Sequence, residues 1–412
     1  MHKLRILHLR LIGLLLAAPL ILAIPVAEAG SSAMQCSAIK ARVDDIPGGG
    51  PVFLASYGSI PGEPDDPALD GAAFTYDNAL AVMALSACGH REEARRIGDA
   101  ILAASAGDRT GEAGRVRNAY RAGAVGEYPP PPMGWWDRSR NAWLEDPYQV
   151  GSSTGNLAWA GLALLTLHDE TGEVRYRDGA ARIAQWAMRF SDAKGIPGFI
   201  GGLQGFDAEA QPLTWKSTEH NTDMVAFLDW LDRAGGGKWD AASARAKSFV
   251  AAMFRPAQGR FLIGTAPDGA TPAEHPSGLD AQLWPLLLDG AQPAWRAAFD
   301  YALKAHGADG GLDFNDDRDG LWSEGTAQGA LVARALGRKD EAHRLRLSAA
   351  EQAGPEGYIF ASKTPSISTG LAIGPNSATD DFRYYHRPHL GATAWTVLAA
   401  RGWNPFTGRR VD

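Results

Sequence analysis

The sequence predicts an all-α chain, an (α/α)6 toroid of six inner and six outer helices. Three observations carry that expectation. Strictly alternating segments are rare along the 412 residues, while Ala- and Leu-rich segments with helical spacing recur. The recurring segments are of two kinds, one apolar nearly all round and one charged and amphipathic, and the two alternate. A long polar or glycine-rich lead-in precedes each apolar segment, whereas a short turn joins it to the charged one. Helices apolar on every side are buried and amphipathic ones lie outside them, so alternation in pairs describes an inner ring sheathed by an outer one.

The first 29 residues are read separately, as a cleaved signal peptide. Lys3, Arg5 and Arg10 form a positive n-region, an apolar run extends from Leu11 to Ala27, and Ala27-Glu28-Ala29 has small-x-small cleavage spacing. A membrane anchor is the competing reading; Pro19, Pro25 and the run's modest length favour cleavage. Residues 30–412 are then expected to form a single catalytic domain, periplasmic or secreted from a bacterium, with no stable membrane anchor after cleavage. Cleavage removes three positive charges and one negative, taking the net charge from −7 to near −9. No basic block is present, so no nucleic-acid partner is indicated.

Inner helices are expected to begin near Thr75 (TYDNALAVMALSA), Ser153 (STGNLAWAGLALLTL), Thr218 (TEHNTDMVAFLDWL), Ser277 (SGLDAQLWPLLL), Ser323 (SEGTAQGALVARAL) and His389 (HLGATAWTVLAA). Outer helices fall at 33–45, 91–105, 174–190, 239–254, 292–306 and 338–352. Ser or Thr stands at several expected N-caps, Ser277 to Asp280 has capping-box spacing, and Gly89, Gly290 and Gly337 mark inner-helix ends. Cys36, at the start of the first outer helix, and Cys88, at the end of the first inner one, are neighbours in an antiparallel hairpin, which allows a disulfide in an exported protein. The lead-ins 46–73, 107–152, 191–217, 255–276, 307–322 and 354–388 all fall on the face of the inner-helix N-termini, and loops of that length are usually functional.

Carboxylates gather at those helix starts: Asp77, Glu219 with Asp223, Asp280 and Glu324, with Asp380 and Asp381 in the last lead-in. Dipole and capping effects account for any one of them. Together they would share one cleft, where neighbouring carboxylates raise each other's pKa and separate into an acid and a base. Tyr76, Trp135, Trp136, Trp159, Trp215, Trp284, Trp322, Tyr384, Tyr385 and His386 lie on the same face, joined by His220 and Asn221. Aromatic faces stack on sugar C–H faces, and acids and amides bind hydroxyls. Trp230 and Trp395, deeper in their helices, are expected in the core.

Metal chemistry has weaker support. Asp313, Asn315, Asp317, Asp319 and Glu324 occupy EF-hand-like positions, but Arg318 stands where that loop requires glycine. His220 does not fit H-E-x-x-H spacing, and neither a P-loop, a dinucleotide fingerprint nor a G-x-S-x-G elbow occurs. No cofactor or metal is therefore expected.

The alternating pairs, the acids at inner starts and the stretches TYDNAL, STEHNTD, LDAQLW and WSEGT resemble the six-hairpin glycosidase superfamily over roughly residues 33–405. The resemblance implies a carbohydrate-active enzyme, with a glycoside hydrolase the leading expectation. Inversion of the anomeric centre is the expected stereochemistry, with Glu219 and Asp77 the preferred pair ahead of Glu324, Asp280 and Asp223. A polysaccharide lyase using Tyr384, Tyr385, His386 or Arg387, a non-catalytic glycan-binding or polysaccharide-assembly protein, and a sugar isomerase are the alternatives.

Overall fold

The computed structural model describes residues 26–64, 66–374 and 382–411. Asp380, Asp381 and residues 1–25 of the expected signal segment lie outside the described residues.

Among the described residues there are twelve α-helices. The inner set is α2 (Thr75–Cys88), α4 (Thr154–Thr171), α6 (Thr218–Arg233), α8 (Leu279–Leu283), α10 (Ser323–Ala335) and α12 (Leu390–Arg401). The outer set is α1 (Val26–Asp44), α3 (Arg91–Ala106), α5 (Val174–Ala187), α7 (Asp240–Met253), α9 (Ala297–Ala305) and α11 (Lys339–Ala350). Burial separates the two as composition predicts. Every residue of α4 from Thr154 to Leu167 is buried, whereas α11 buries only Leu345, Ser348 and Ala349.

Local chemistry sets the boundaries. Ser153 and Ser217 accept the Asn156 and His220 backbone N–H groups, and Gly89 closes α2 at φ 84°. Three expectations are corrected. Ser277 does not cap its helix: Gly278 is the N-cap, and the Ser277 hydroxyl lies 2.9 Å from His306 Nε2. The α-helical part of that element is short because Pro285 supplies no N–H, and Trp284–Leu287 continue as a 3-10 turn. The first outer helix begins at Val26 rather than 33, so Cys36 lies well inside it; it is bonded to Cys88.

The lead-ins fold into short antiparallel strand pairs, mostly of two or three residues. Strands that short carry no readable alternation. Two repeated hydrogen-bond patterns tie them to the helices. In the first, the opening N–H of each inner helix donates to a carbonyl of the next lead-in: Thr75 to Asn118, Thr154 to Gly201, Thr218 to Ile263, Leu279 to Phe314, Ser323 to Ala361 and Leu390 back to Ser56, at 2.8–3.0 Å. The sixth bond returns to the first lead-in, so the ring is closed. In the second, the fourth residue of an inner helix grips the lead-in before it. Asn78 holds Leu54, Asn221 holds Phe199, and Gln282 holds Phe261, each at both backbone N–H and C=O. Thr326 holds Leu312 and Thr393 accepts from the Ile359 N–H. These bonds satisfy backbone groups that a buried loop would otherwise leave unpaired.

Inner helices contact one another in chain order, and α12 packs against α2. Gly161 permits the close approach of α4 and α6, since a Cβ there would sit 2.1 Å from a Phe227 ring carbon. Aromatic rings fill the axis. Trp159 lies 5.3 Å from Trp284 and 5.2 Å from Phe406, and Trp284 lies 6.2 Å from Trp395. Trp159, Trp284 and Trp395 are all fully buried, and so is Trp230.

Candidate active site

The site is assembled by the first turns of the inner helices. Their second residues are Tyr76, Gly155, Glu219, Asp280, Glu324 and Gly391. A helical Cα–Cβ bond tilts toward the N-terminus, so these positions project to the mouth that the lead-ins surround. Asp77 follows Tyr76, and Asp223 lies one turn beneath Glu219.

Contacts across the ring show that these side chains converge. The Tyr76 hydroxyl donates to Glu324 Oε1 at 2.5 Å and accepts from Trp395 Nε1 at 2.8 Å. His389, the N-cap of α12, places Nε2 at 3.5 Å from Asp77 Oδ2 and Nδ1 at 3.7 Å from Glu324 Oε2. The two glycines leave room for their neighbours. A Cβ on Gly391 would lie 2.5 Å from Asp77 Oδ1 and 2.8 Å from Glu324 Oε2, and one on Gly155 would lie 2.7 Å from the His220 ring and 3.2 Å from Asp223 Oδ2.

Asp77, Asp223, Asp280 and Glu324 are buried, and Glu219 keeps partial exposure at the mouth. Loss of water raises the Glu219 carboxyl to about 7 despite that exposure. Burial likewise lifts Glu324 to about 7, opposed by His389 and the Tyr76 hydrogen bond and assisted by the charges of Asp77 and Glu219. Asp223 and Asp280 stand well above the usual carboxylate range, first through burial and then through the charge of Glu219. Burial lowers His220 to about 4, so its ring is neutral at pH 7. At His389 burial opposes protonation, but the charge and hydrogen bond of Asp77, with Glu324, outweigh it and raise the pKa. The N-cap bond from Ala392 N–H to Nδ1, at 3.2 Å, directs Nε2–H toward Asp77.

Among the described residues, both Asp223 oxygens, Asp280 Oδ1, Glu324 Oε2 and His220 Nδ1 are buried without a close hydrogen-bond partner, with Trp159 facing Asp223 and Gln328 facing Asp280. Buried polar atoms are rarely left this way, and here they cluster where a hydroxyl or water could be received. The donor atoms of Asp77, Glu324 and His389 lie within 4.8 Å of one another, a spacing that would also admit a metal ion.

The structure brings together all five acids expected from the sequence, along with Tyr76 and His220. Trp215 flanks His220 at 5.4 Å, and Tyr384 packs 5.1 Å from Trp322 and 5.9 Å from His389. Tyr385 lies 6.4 Å from Tyr57. Other expected ligand residues have structural work. Asn221 is consumed by its grip on Phe199 and Ser217. Trp159 and Trp284 belong to the axial core, and Trp322 is buried against Phe314. His386 bonds the Ser362 carbonyl through Nδ1 at 2.6 Å and stacks on Phe360 at 4.3 Å. Trp135 and Trp136 lie on a hairpin with Trp143, where Trp136 is 54% exposed and Arg121 covers Trp143 at 4.4 Å. Sequence reasoning passed over His389 as a site residue, because a histidine at a helix start reads as a cap. It also passed over Tyr57, 4.6 Å from His389, which no periodic segment marks.

No family model and no curated relative matches the sequence. Solved structures do. A glycosidase variant in complex with glucose is 15% identical at TM-score 0.61, covering 92% of this chain and 98% of its own. The cellobiose 2-epimerase from Spirochaeta thermophila DSM 6192 is 12% identical at TM-score 0.61, covering 91% and 96%. The GH76 α-mannanase from Bacteroides thetaiotaomicron is 10% identical at TM-score 0.57, covering 92% and 98%. Over more than nine-tenths of its length the chain shares the fold of these structures.

Proposed function

We propose that this chain is an exported glycoside hydrolase on an (α/α)6 toroid, cleaving a poly- or oligosaccharide by carboxylate acid/base catalysis. The observation that carries the reading is a set of five carboxyl groups gathered at the inner-helix starts, two of them near pKa 7, with buried oxygens that lack a close hydrogen-bond partner among the described residues. Glycosidic cleavage needs a carboxylic acid still protonated near neutrality and a second carboxylate that activates water. Glu219 is the proton donor in this reading: its pKa is suited, it keeps solvent contact, and it meets the leaving oxygen at the mouth. Asp77, with its oxygen facing His389 Nε2, receives the proton of the attacking water. Tyr76 holds Glu324, and Glu324 and Asp280 receive sugar hydroxyls.

The cluster of acids disfavours an anionic polymer, and His386 is already engaged, which weighs against the lyase reading. Export rests on the n-region, the apolar run and the cleavage spacing, together with a disulfide of the kind oxidising compartments keep. No described helix is long and apolar enough to cross a membrane.

A glycan panel incubated with purified protein tests the reading. New reducing ends are expected, with the inverted anomer seen first by proton NMR. Glu219→Gln and Asp77→Asn should lose turnover by roughly 10²–10⁴-fold while glycan binding persists. Unsaturated product absorbing in the ultraviolet would indicate a lyase. Conversion of a free disaccharide without new reducing ends would indicate an isomerase. Binding unaffected by either variant, with no product at all, would leave a glycan-binding protein.

A further inference from the structure

We propose that the loop Asp313–Asp319, outside the acid cleft, is a calcium site that pins the wall of the active-site mouth. Asp313 is fully buried; its Oδ1 accepts from the Phe314 N–H at 2.7 Å, the Gly320 N–H faces the carboxyl, and among the described residues its Oδ2 has no close hydrogen-bond partner. Carboxylate oxygens of Asp313, Asp317 and Asp319 lie within 4.8 Å of one another. Oxygens bound to one Ca²⁺ at about 2.3–2.6 Å are separated by up to about 5 Å, so a single ion fits among these three. Magnesium binds at about 2.0–2.1 Å in a strict octahedron and suits such a loop less well.

Arg318 stands where an EF-hand loop has glycine, a requirement set by the turn. The backbone answers it: Arg318 adopts φ 63°, the left-handed turn that glycine would supply, with its guanidinium Nε bonded to the Gly307 carbonyl at 2.8 Å. Asn315 braces the turn, accepting from the Asp317 N–H at 2.6 Å and donating to Asp317 Oδ2 at 3.1 Å. Glu324, formally the last position of such a loop, bonds Tyr76 in the acid cleft, so it is not a ligand here. Water would complete the coordination.

The loop is also a junction. Asp316 accepts from the Ser277 N–H at 2.9 Å, just before α8, and Asp319 accepts from the Ser368 N–H at 2.9 Å. Ser366–Ser368 pairs with Arg383–Tyr385, the strand that carries Tyr384 and Tyr385. The Arg383 guanidinium lies 3.9 Å from Asp319 and bonds Ser366 Oγ through Nε. A bound ion would thus fix three lead-ins whose ends carry Asp280, Glu324 and Tyr384.

Full-length protein is treated with chelator, then titrated with calcium chloride by calorimetry and followed by thermal melting. One saturable site is expected, with a rise in melting temperature of about 3 °C at a hundredfold excess over Kd. Asp317→Asn and Asp319→Asn, both at exposed positions, should fold normally and weaken calcium binding at least tenfold. Magnesium chloride should produce a smaller shift. Absence of a calcium-dependent shift and of binding heat at millimolar calcium would overturn the proposal, and so would wild-type affinity in both variants.

Discussion

Gly391→Ala is the most discriminating perturbation of the proposed chemistry. The added methyl would lie 2.5 Å from Asp77 Oδ1, 2.8 Å from Glu324 Oε2 and 3.0 Å from His389 Cε1. Ordinary contact begins near about 3.5 Å, so the two carboxylates must retreat by roughly 1 Å. Both are buried and already held, Asp77 by His389 and Glu324 by Tyr76, so the retreat breaks those geometries. A misplacement of about 1 Å in a catalytic group costs about 10²-fold in rate. The fold should tolerate the change far better. Gly391 has a negative φ inside a helix, where alanine gains about 1 kcal/mol, against about 1–3 kcal/mol for overpacking. We therefore expect kcat/KM on the best glycan of the panel to fall about a hundredfold while the melting temperature drops by only a few degrees. Wild-type turnover in a correctly folded Gly391→Ala protein would refute a role for Asp77 and Glu324 in the reaction.

Three other outcomes follow from the same geometry. Glu324 holds a proton in the folded protein up to about pH 7 that the unfolded chain, at the ordinary 4.5, releases earlier. Its contribution is thus full below pH 4.5 and lost as pH rises through 7, about 3 kcal/mol in all at 1.36 kcal/mol per unit. Melting curves should show Glu324→Gln gaining on wild type between pH 5 and pH 8; a constant difference would contradict the buried, protonated carboxyl. Asn221→Ala strips both backbone bonds from Phe199 and should destabilise by about 2–3 kcal/mol in urea unfolding, while glycan affinity of the folded protein is unchanged. Lower affinity with stability spared would restore Asn221 as a sugar ligand. Replacing Cys36 and Cys88 with serine opens a link spanning 52 residues and should cost about 4 kcal/mol, read as a lower urea midpoint.

The helical ring was legible because it rests on long periodic signals. The alternation of α4, buried on every side from Thr154 to Leu167, with the one-sided α5 is visible in composition alone. What escaped was chemistry carried by single atoms. Asn221 and Glu219 are two residues apart and equally polar, yet one faces the Phe199 backbone and the other the cleft. That difference comes from helical phase and from the position of the preceding lead-in, and a strand of two residues announces neither. Asn78, Asn221 and Gln282 share the fourth place in their helices, and this shared place is the signal that would have separated them from ligands. Trp159 and Trp284 misled for a related reason: the space beneath the acids must itself be filled, and tryptophan fills it.

The second place in each helix shows how a regular ring yields an irregular site. Acids occupy it in α6, α8 and α10, which are consecutive in the ring, while glycine occupies it in α4 and α12, on either side of α2. The acids thus share one arc. The glycines open space beside α2, and into that space lean Asp77 and Glu324 on one side and His220 and Asp223 on the other. Burial then sorts the carboxyls by role. Asp223 and Asp280 are held away from water and kept largely protonated, and Glu324 titrates near 7, so they can donate to hydroxyls as well as accept from them. Glu219 has a comparably raised pKa but keeps solvent contact, and a proton donor that must be refilled after every turnover needs both properties. If Glu219→Asp, which keeps the acid but shortens its reach, retained full turnover while Glu324→Gln abolished it, the proton donor would be the shielded acid and this assignment would be wrong.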